Sequence, residues 1–150
     1  MLALTFQVGP DRLAVDVRRV REVVPRVRLA PLSGGPAWVA GMFVYRGRVV
    51  PVVDLHRLTG AGECPPHLSS RIILVPHPGN PDALVGLLAT QVADIRELPD
   101  PPAAVPGTAD PGLGAAIADG TGILRVFDPE RFLPSLGPAL AAPALPGARP

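Results

Sequence analysis

Cysteine, lysine, aromatic residues and long apolar runs are scarce or absent in this sequence. Cys64 is the only cysteine among 150 residues, so an intrachain disulfide is excluded and a reducing compartment is the expected setting. Proline and glycine interrupt every apolar run before it reaches the roughly 20 residues that a membrane-spanning helix needs. The N-terminal residues also lack the basic segment and cleavage site of a signal peptide. These absences predict a cytoplasmic protein with no direct membrane insertion.

Lysine is missing altogether: the 14 basic residues are all arginine, and 13 acidic residues bring the net charge to +1. Nucleic-acid-binding proteins use a basic surface to neutralise phosphates and aromatic side chains to stack on bases. Aromatic residues are only 4% of this chain, so its composition predicts no nucleic-acid binding. A small nucleic-acid-binding β-barrel, of the OB type, is the less favoured hypothesis.

Apolar residues make up 47% of the chain, which is enough for a core of valine, leucine, isoleucine and alanine. The 21 prolines and 16 glycines cluster between short apolar segments, a pattern typical of a mainly β protein of short strands joined by turns. Gly86, inside an apolar segment, indicates a bulge or a close approach of two backbones. We predict strands at 3–8, 12–15, 26–29, 71–76, 84–89, 92–98, 115–118 and 123–127, and two more within 41–55.

The predicted helices are short. Asp16 can cap a helix that ends at Pro25, since Val17, Val20, Val23 and Val24 have helical spacing. Residues 36–39 favour one helical turn, and Asp128-Pro129-Glu130 begins another with a cap and a proline at the first position. The segment 99–114 predicts a proline-rich crossing loop. From Pro134 onward the pattern has no period and predicts a disordered tail over 134–150.

The residue types that carry chemistry do not form a recognisable catalytic or metal-binding pattern. His56, Cys64, His67 and His77 have a spacing that matches no common zinc site. Cys64 has no cationic neighbour in sequence that would lower its pKa, and no serine lies in a nucleophile-elbow motif. Asp54 ends an apolar strand, where a cap for the turn 55–58 is a better interpretation than a catalytic base. We therefore predict a protein without catalytic residues, metal or cofactor.

The segment Gly41–Leu55, GMFVYRGRVVPVVDL, has the most specific pattern in the chain. It predicts two strands around a turn at Arg46-Gly47. Pro51 cannot donate a ladder hydrogen bond, so we expect its nitrogen to face an edge, a bulge or solvent. An arginine beside apolar and aromatic residues has the composition of a protein–protein hot spot. The alternative is an arginine that is merely solvated in its turn.

This segment resembles the CheW-like coupling proteins of bacterial chemotaxis, whose central pattern is a glycine, apolar residues, x-R-G and a strand V-P-V-V-D-L. Gly41, Arg46, Gly47 and the run Val49–Leu55 match that pattern in order and spacing. The resemblance covers about residues 3–133. The other segments that match the family pattern are 6–9, 16–23, 29–32, 71–75, 85–92 and 122–133.

The resemblance implies a fold of two small five-stranded SH3-like β-barrel lobes that share a core, with short helices, in one domain over 1–133. It implies a non-catalytic adaptor that links the cytoplasmic tip of a methyl-accepting chemoreceptor to the regulatory domain of a histidine kinase. The groove between the lobes would receive the receptor tip. The implied partner-binding residues are Val20, Glu22, Val44, Tyr45, Arg46, Gly47, Gly86 and Leu87, and the implied structural residues are Gly41, Pro51 and Asp54.

Two positions depart from the family pattern. Val44 stands where the family often has asparagine, and Thr90 stands where aspartate is frequent. Both changes replace polar groups near the expected contact region, so they predict an altered affinity or partner choice. A coupling protein of a twitching or other non-flagellar sensory system is therefore the alternative function.

Overall fold

The computed structural model describes residues 1–32, 34–66, 70–100, 113–120 and 122–140. Strands dominate these residues, and the helices are short. The strands are β1 (Leu2–Val8), β2 (Asp11–Asp16), β3 (Glu22–Pro25), β4 (Val39–Tyr45), β5 (Arg48–Asp54), β6 (Arg71–His77), β7 (Asn80–Glu97), β8 (Leu113–Asp119) and β9 (Gly122–Phe127). The helices are α1 (Leu55–Leu58) and α2 (Pro129–Phe132), and the 3-10 helices are Val17–Arg19 and Leu133–Leu140.

The strands form two groups of five that share the long strand β7. The terminal lobe has the order β8-β9-β2-β1-β7, and the central lobe has the order β4-β5-β7-β6-β3. In each lobe one neighbouring pair is parallel, β2 with β9 and β5 with β7, and the others are antiparallel. The mainly β fold with two five-stranded lobes, predicted from the sequence, is confirmed.

A shared hydrophobic core lies between the lobes, as predicted. Phe6, Val8 and Val15 enter it from the terminal lobe, and Ile73 and Leu87 enter it from the central lobe. All five side chains are buried. Each lobe also has a smaller cluster of its own, around Leu74 in the central lobe and around Leu124 in the terminal lobe. The central burial of apolar surface from both lobes favours a single folding unit.

The two lobes repeat one arrangement of strands. In the central lobe a β4–β5 hairpin closes at the pair Tyr45–Arg48, and Asp54 at the end of β5 caps α1. In the terminal lobe the β8–β9 hairpin closes at the pair Asp119–Gly122, and Asp128 directly after β9 caps α2. Asp54 and Asp128 follow the first residue of their second strand, Arg48 and Gly122, at the same spacing. The predicted cap at Asp128, with Pro129 at the helix start, is confirmed.

The predicted helix over 16–24 is wrong beyond its first turn. Asp16 does accept a hydrogen bond from Arg18 N, but the helix is a 3-10 turn that ends at Arg19. Glu22–Pro25 is strand β3, in which Val23 and Val24 pair with Ile73 and Ile72 of β6. β-branched residues pack well on a pleated surface, so pairing with a distant strand outweighs the local helical spacing.

The predicted strand 26–29 is absent, although Ala30 forms an isolated bridge to Met42 of β4. The Arg26 guanidinium instead donates to the carbonyl oxygens of Cys64 (3.0 Å) and Pro65 (2.8 Å). These hydrogen bonds hold residues 26–29 against the loop that contains Cys64 and Pro65, so the segment does not pair with a strand as predicted.

The folded chain extends beyond 133, where the tail was predicted to begin. Leu133 is buried at the start of the second 3-10 helix, and Leu136 of the same helix packs against the shared core. The rest of the predicted tail, 141–150, lies outside the described residues, as does most of the predicted loop 99–114.

Gly41 and Pro51 have positions that explain their residue types. Gly41 has φ 144°, and a Cβ there would lie 2.5 Å from Ala30 O and 2.9 Å from Leu29 Cβ. Only glycine at this position allows the segment with Leu29 and Ala30 to approach β4 so closely. Pro51 pairs with Met42 on one side, and the pairing of β5 with β7 begins one residue later, at Val52. The missing N–H of proline therefore precedes the ladder to β7.

Candidate partner-binding surface

The turn between β4 and β5 presents Arg46 at the tip of the central lobe. Arg46 has φ 49° and Gly47 has φ 78°, so both central residues of this two-residue turn are left-handed. Such a type I′ turn matches the twist of the flanking strands, and its first position favours asparagine or glycine. An arginine there occupies a backbone region that costs a non-glycine residue about 1 kcal/mol or more.

The Arg46 side chain is 78% exposed, and its Nη2 atom lies 3.7 Å from Oε2 of Glu22 on β3. Its guanidinium carbon lies 5.2 Å from the centre of the Tyr45 ring. An exposed ion pair of this kind contributes little to stability, because water screens both charges. These contacts therefore orient Arg46 without covering it.

Val44 adds an apolar element to this surface, since it is 67% exposed. It pairs with Val49 across the hairpin. The hairpin surface, as we define it, consists of Glu22, Val44, Tyr45, Arg46 and Gly47. An open cleft of about 430 Å³ beside it is lined by Arg21, Glu22, Tyr45, Arg46, Arg48, Asp82 and Leu84.

Arg48 and Asp82 in this cleft were missed by the sequence analysis. The Arg48 guanidinium donates to the Asp82 carbonyl oxygen at 2.6 Å, which ties β5 to the start of β7. These residues are far apart in the chain, and no local pattern signals their meeting.

Three residues expected to bind partners do not join the hairpin surface. Leu87 is 1% exposed in the shared core. A Cβ on Gly86 would lie 2.7 Å from Ile72 Cγ2 and 3.1 Å from Val52 Cγ2, so Gly86 allows close packing inside the central lobe. Val20 is half-buried and packs against the shared core. We therefore assign packing roles to Gly86 and Leu87 in place of partner contacts, because their side-chain positions face the interior.

Thr90, the second departure from the family pattern, is half-buried at the junction of β7 and β1. Its Oγ1 donates to the carbonyl oxygen of Gln7 at 3.0 Å. This hydrogen bond gives Thr90 a structural role between two strands.

Asp54 is buried and organises the end of β5. Its Oδ1 accepts hydrogen bonds from His56 N (2.9 Å) and Arg57 N (3.3 Å), which caps α1 as the sequence predicted. Its Oδ2 accepts a third hydrogen bond, from Cys64 N at 3.0 Å. The carboxylate therefore also holds the loop after α1 against the strand.

Asp54, His56 and Cys64 form a buried group whose possible ligand atoms lie within 4.8 Å of one another. The position of the ring hydrogen on neutral His56 argues against a metal site. Its Nε2 accepts a hydrogen bond from Gly9 N at 3.0 Å, so Nδ1 carries the ring hydrogen and has no lone pair to offer. No described residue accepts a hydrogen bond from Nδ1.

Cys64 is unsuited to act as a nucleophile. Its side chain is fully buried, and this burial raises the pKa of the thiol to about 11. The thiol is therefore neutral near pH 7, whereas a nucleophile needs the thiolate. Of the other histidines, His67 lies outside the described residues and His77 Nδ1 accepts a hydrogen bond from Gly79 N.

Within the described part of the chain, no helix combines the length and apolar character needed to cross a membrane.

Comparisons with known proteins agree with the fold. The family profile of the CheW-like domain matches residues 2–137. The "Chemotaxis protein CheW" of Treponema pallidum is 25% identical over 142 residues, covering 88% of this chain and 81% of that protein. "Protein FrzA" of Myxococcus xanthus is 36% identical over 121 residues, covering 77% of this chain and 73% of that protein.

A solved structure shows the same fold at low sequence identity. The scaffolding protein TtCheW of Thermoanaerobacter tengcongensis superposes with a TM-score of 0.71 at 22% identity, covering 85% of this chain and 88% of that one.

Proposed function

Because this chain belongs to the CheW-like domain family, we propose that it is a cytoplasmic, non-catalytic adaptor. In this proposal it couples the tips of chemoreceptors to the regulatory domain of a chemotaxis-type histidine kinase in a sensory array. The similarity to proteins named for chemotaxis and for scaffolding supports this role. Relatives with other names, FrzA and PilI, support the alternative that the chain serves a different, non-flagellar sensory system.

The observation that supports a partner contact is the combination of a strained backbone and an exposed side chain at Arg46. Its backbone has φ 49°, in a turn position where asparagine or glycine would cost less. Its side chain contributes little packing, since 78% of it is exposed. A residue that is kept in an unfavourable conformation without stabilising the fold is a candidate for function. Contact with a partner, beside the exposed Val44, provides that function.

Substitution of Arg46 tests this proposal in a binding assay with two separate probes, a chemoreceptor signalling tip and a histidine kinase regulatory domain. We expect Arg46→Glu to weaken binding to one of them by about 1–3 kcal/mol, the range for an interface arginine. Arg46→Asn should weaken binding as well, but it should leave the protein equally or more stable, because asparagine suits the left-handed turn. Calorimetric titration and thermal unfolding measure the two effects.

Arg131→Glu is the matched control, because Arg131 is an exposed arginine on α2 of the other lobe. It should leave binding at the hairpin surface unchanged. If the wild-type protein is folded and binds neither probe, the adaptor function is wrong. If it binds and both Arg46 variants bind equally well, Arg46 is a solvated turn residue and the contact lies elsewhere.

A further inference from the structure

The chain passes from one lobe to the other at two places. It leaves the terminal lobe after β2, through the 3-10 helix Val17–Arg19, and enters the central lobe at β3. It returns within β7, which pairs with β5 and β6 up to Ala89 and with β1 from Thr90 onward. The second passage has no loop, so the angle between the lobes depends on the local geometry of one strand.

That strand is irregular where it changes lobes. Thr5 pairs with Asp94, and Gln7 pairs with Thr90. Between these pairs β1 has only Phe6, whereas β7 has the three residues 91–93. Such a bulge bends a strand and increases its twist.

Gln91 lies in this bulge and has φ 51°. Apart from Arg46, it is the only non-glycine residue with positive φ in the described part of the chain. Its side chain is exposed, so burial does not explain its conformation. Long unbranched residues such as glutamine adopt the left-handed region only at a cost.

The left-handed residue changes which side of β7 faces the shared core. Val85, Leu87 and Ala89 enter this core with the period of two expected for a strand. The next residue of β7 in the core is Val92, three positions after Ala89. Residues three apart face opposite sides of a regular strand. The bulge therefore lets one strand present apolar residues to the same core from both lobes.

We infer that Gln91 is a positioning residue whose left-handed backbone sets the orientation of the two lobes. The bulge and the left-handed Gln91 set this orientation whatever the partner is. Its consequence, that binding of a partner across both lobes depends on Gln91, rests on the proposed adaptor function.

Variants that differ in their tolerance of the left-handed region test this inference. Gln91→Gly and Gln91→Asn tolerate it, whereas the β-branched Gln91→Thr does not. Asp94→Thr is the matched control, because Asp94 is an exposed residue of the same strand at a regularly paired position. Spin labels at Gly79→Cys in the central lobe and Ile123→Cys in the terminal lobe report the distance between the lobes; Cys64 is buried and should not be labelled.

We expect Gln91→Gly and Gln91→Asn to keep the wild-type distance distribution, with a melting temperature that is unchanged or higher by about 2–4 °C. Gln91→Thr should shift or broaden the distribution and weaken binding to a partner that contacts both lobes. Asp94→Thr should change neither.

An unchanged distance distribution in Gln91→Thr would overturn the inference. A shifted distance distribution in Gln91→Gly would also overturn it. Glycine adopts the left-handed backbone without strain, so such a shift would mean that the Gln91 side chain, and not its backbone, sets the orientation of the lobes. If the variants change the distance between the lobes as expected but the protein binds neither partner, the role of Gln91 in lobe orientation is supported and only the adaptor function is wrong.

Discussion

His56 shows how one buried polar side chain links the two lobes. It lies in α1 of the central lobe, and its Nε2 accepts the N–H of Gly9 from the β1–β2 turn of the terminal lobe. Burial lowers the pKa of His56, with a further lowering from Arg26, while the charge of Asp54 opposes both. Protonation would place a second hydrogen between Nε2 and Gly9 N. The link therefore requires the neutral ring.

The lowered pKa of His56 predicts that the protein loses stability in mild acid. The unfolded chain has the ordinary histidine pKa of 6.5 and binds a proton at a higher pH than the folded protein does. The stabilising effect of the neutral ring is thus complete above that pH and declines as the pH falls through 6.5 towards the folded-state pKa. We expect urea unfolding from about pH 7 to about pH 5 to show a loss of stability in the wild type that His56→Gln lacks, since glutamine does not titrate.

Other histidines provide the control for this measurement. His77, the last residue of β6, takes no part in the hydrogen bond between His56 and Gly9, so the loss of stability in acid that His56 causes should persist in His77→Gln. Identical pH profiles for the wild type and His56→Gln would show that His56 does not link folding to protonation.

At the scale of elements, the two hairpins with their capped helical turns offer an internal comparison. Asp54 and Asp128 occupy equivalent positions, but their surroundings differ. Asp54 is buried and accepts three backbone hydrogen bonds, one of them from the distant Cys64. Asp128 is half-buried, and its side chain accepts one backbone hydrogen bond, from Glu130 N.

This difference predicts unequal effects of the same substitution. Asp128→Ala should cost about 1 kcal/mol, the usual value for a lost helix cap. Asp54→Ala should cost about 2–4 kcal/mol, because it also leaves a buried N–H of Cys64 without its acceptor. Chemical denaturation of both variants measures the two costs. Equal costs would mean that burial and the bond to Cys64 add nothing to the cap.

Short elements were predictable where their determinants are close in sequence. The cap at Asp54 and the turn at Arg46-Gly47 depend on neighbouring residues. The predicted break between strands 84–89 and 92–98 is wrong, because β7 runs without interruption from Asn80 to Glu97 and has only a bulge there. The strand Glu22–Pro25 was mistaken for a helix, because its pairing with Arg71–Leu74 involves residues about fifty positions away. The spacing of residues within the segment does not show which distant strand will pair with it, although that pairing decides the conformation of the segment.

At the scale of the whole molecule, we expect the shared core to make the two lobes unfold as one cooperative unit. Leu87 of the central lobe lies in the same core as Phe6 and Phe127 of the terminal lobe. Phe6 and Phe127 also contact each other edge to face, with ring centres 6.1 Å apart. Loss of packing at one of these side chains should therefore weaken both lobes.

We predict that Leu87→Ala lowers the free energy of unfolding by about 2–5 kcal/mol, the range for a large-to-small change in a core. Hydrogen exchange should show the loss in β1 of the terminal lobe as well as in β6 of the central lobe, because the two unfold together. Leu74→Ala provides a second test, because Leu74 lies in the separate cluster of the central lobe, and cooperative unfolding predicts that it too lowers protection in β1 of the terminal lobe. A loss of protection confined to the central lobe in Leu87→Ala would contradict cooperative unfolding.

The sequence by itself determined the mainly β class, the family and the exposed turn at Arg46. Each of these depends on residue order along the chain, through strand periodicity, turn chemistry and a collinear pattern. Only the tertiary structure decided which of the expected contact residues are accessible: Arg46 and Val44 lie at the tip of a hairpin, whereas Gly86 and Leu87 are interior. Only the tertiary structure revealed the left-handed Gln91. The physical reason is that burial and strand register depend on partners far away in the chain.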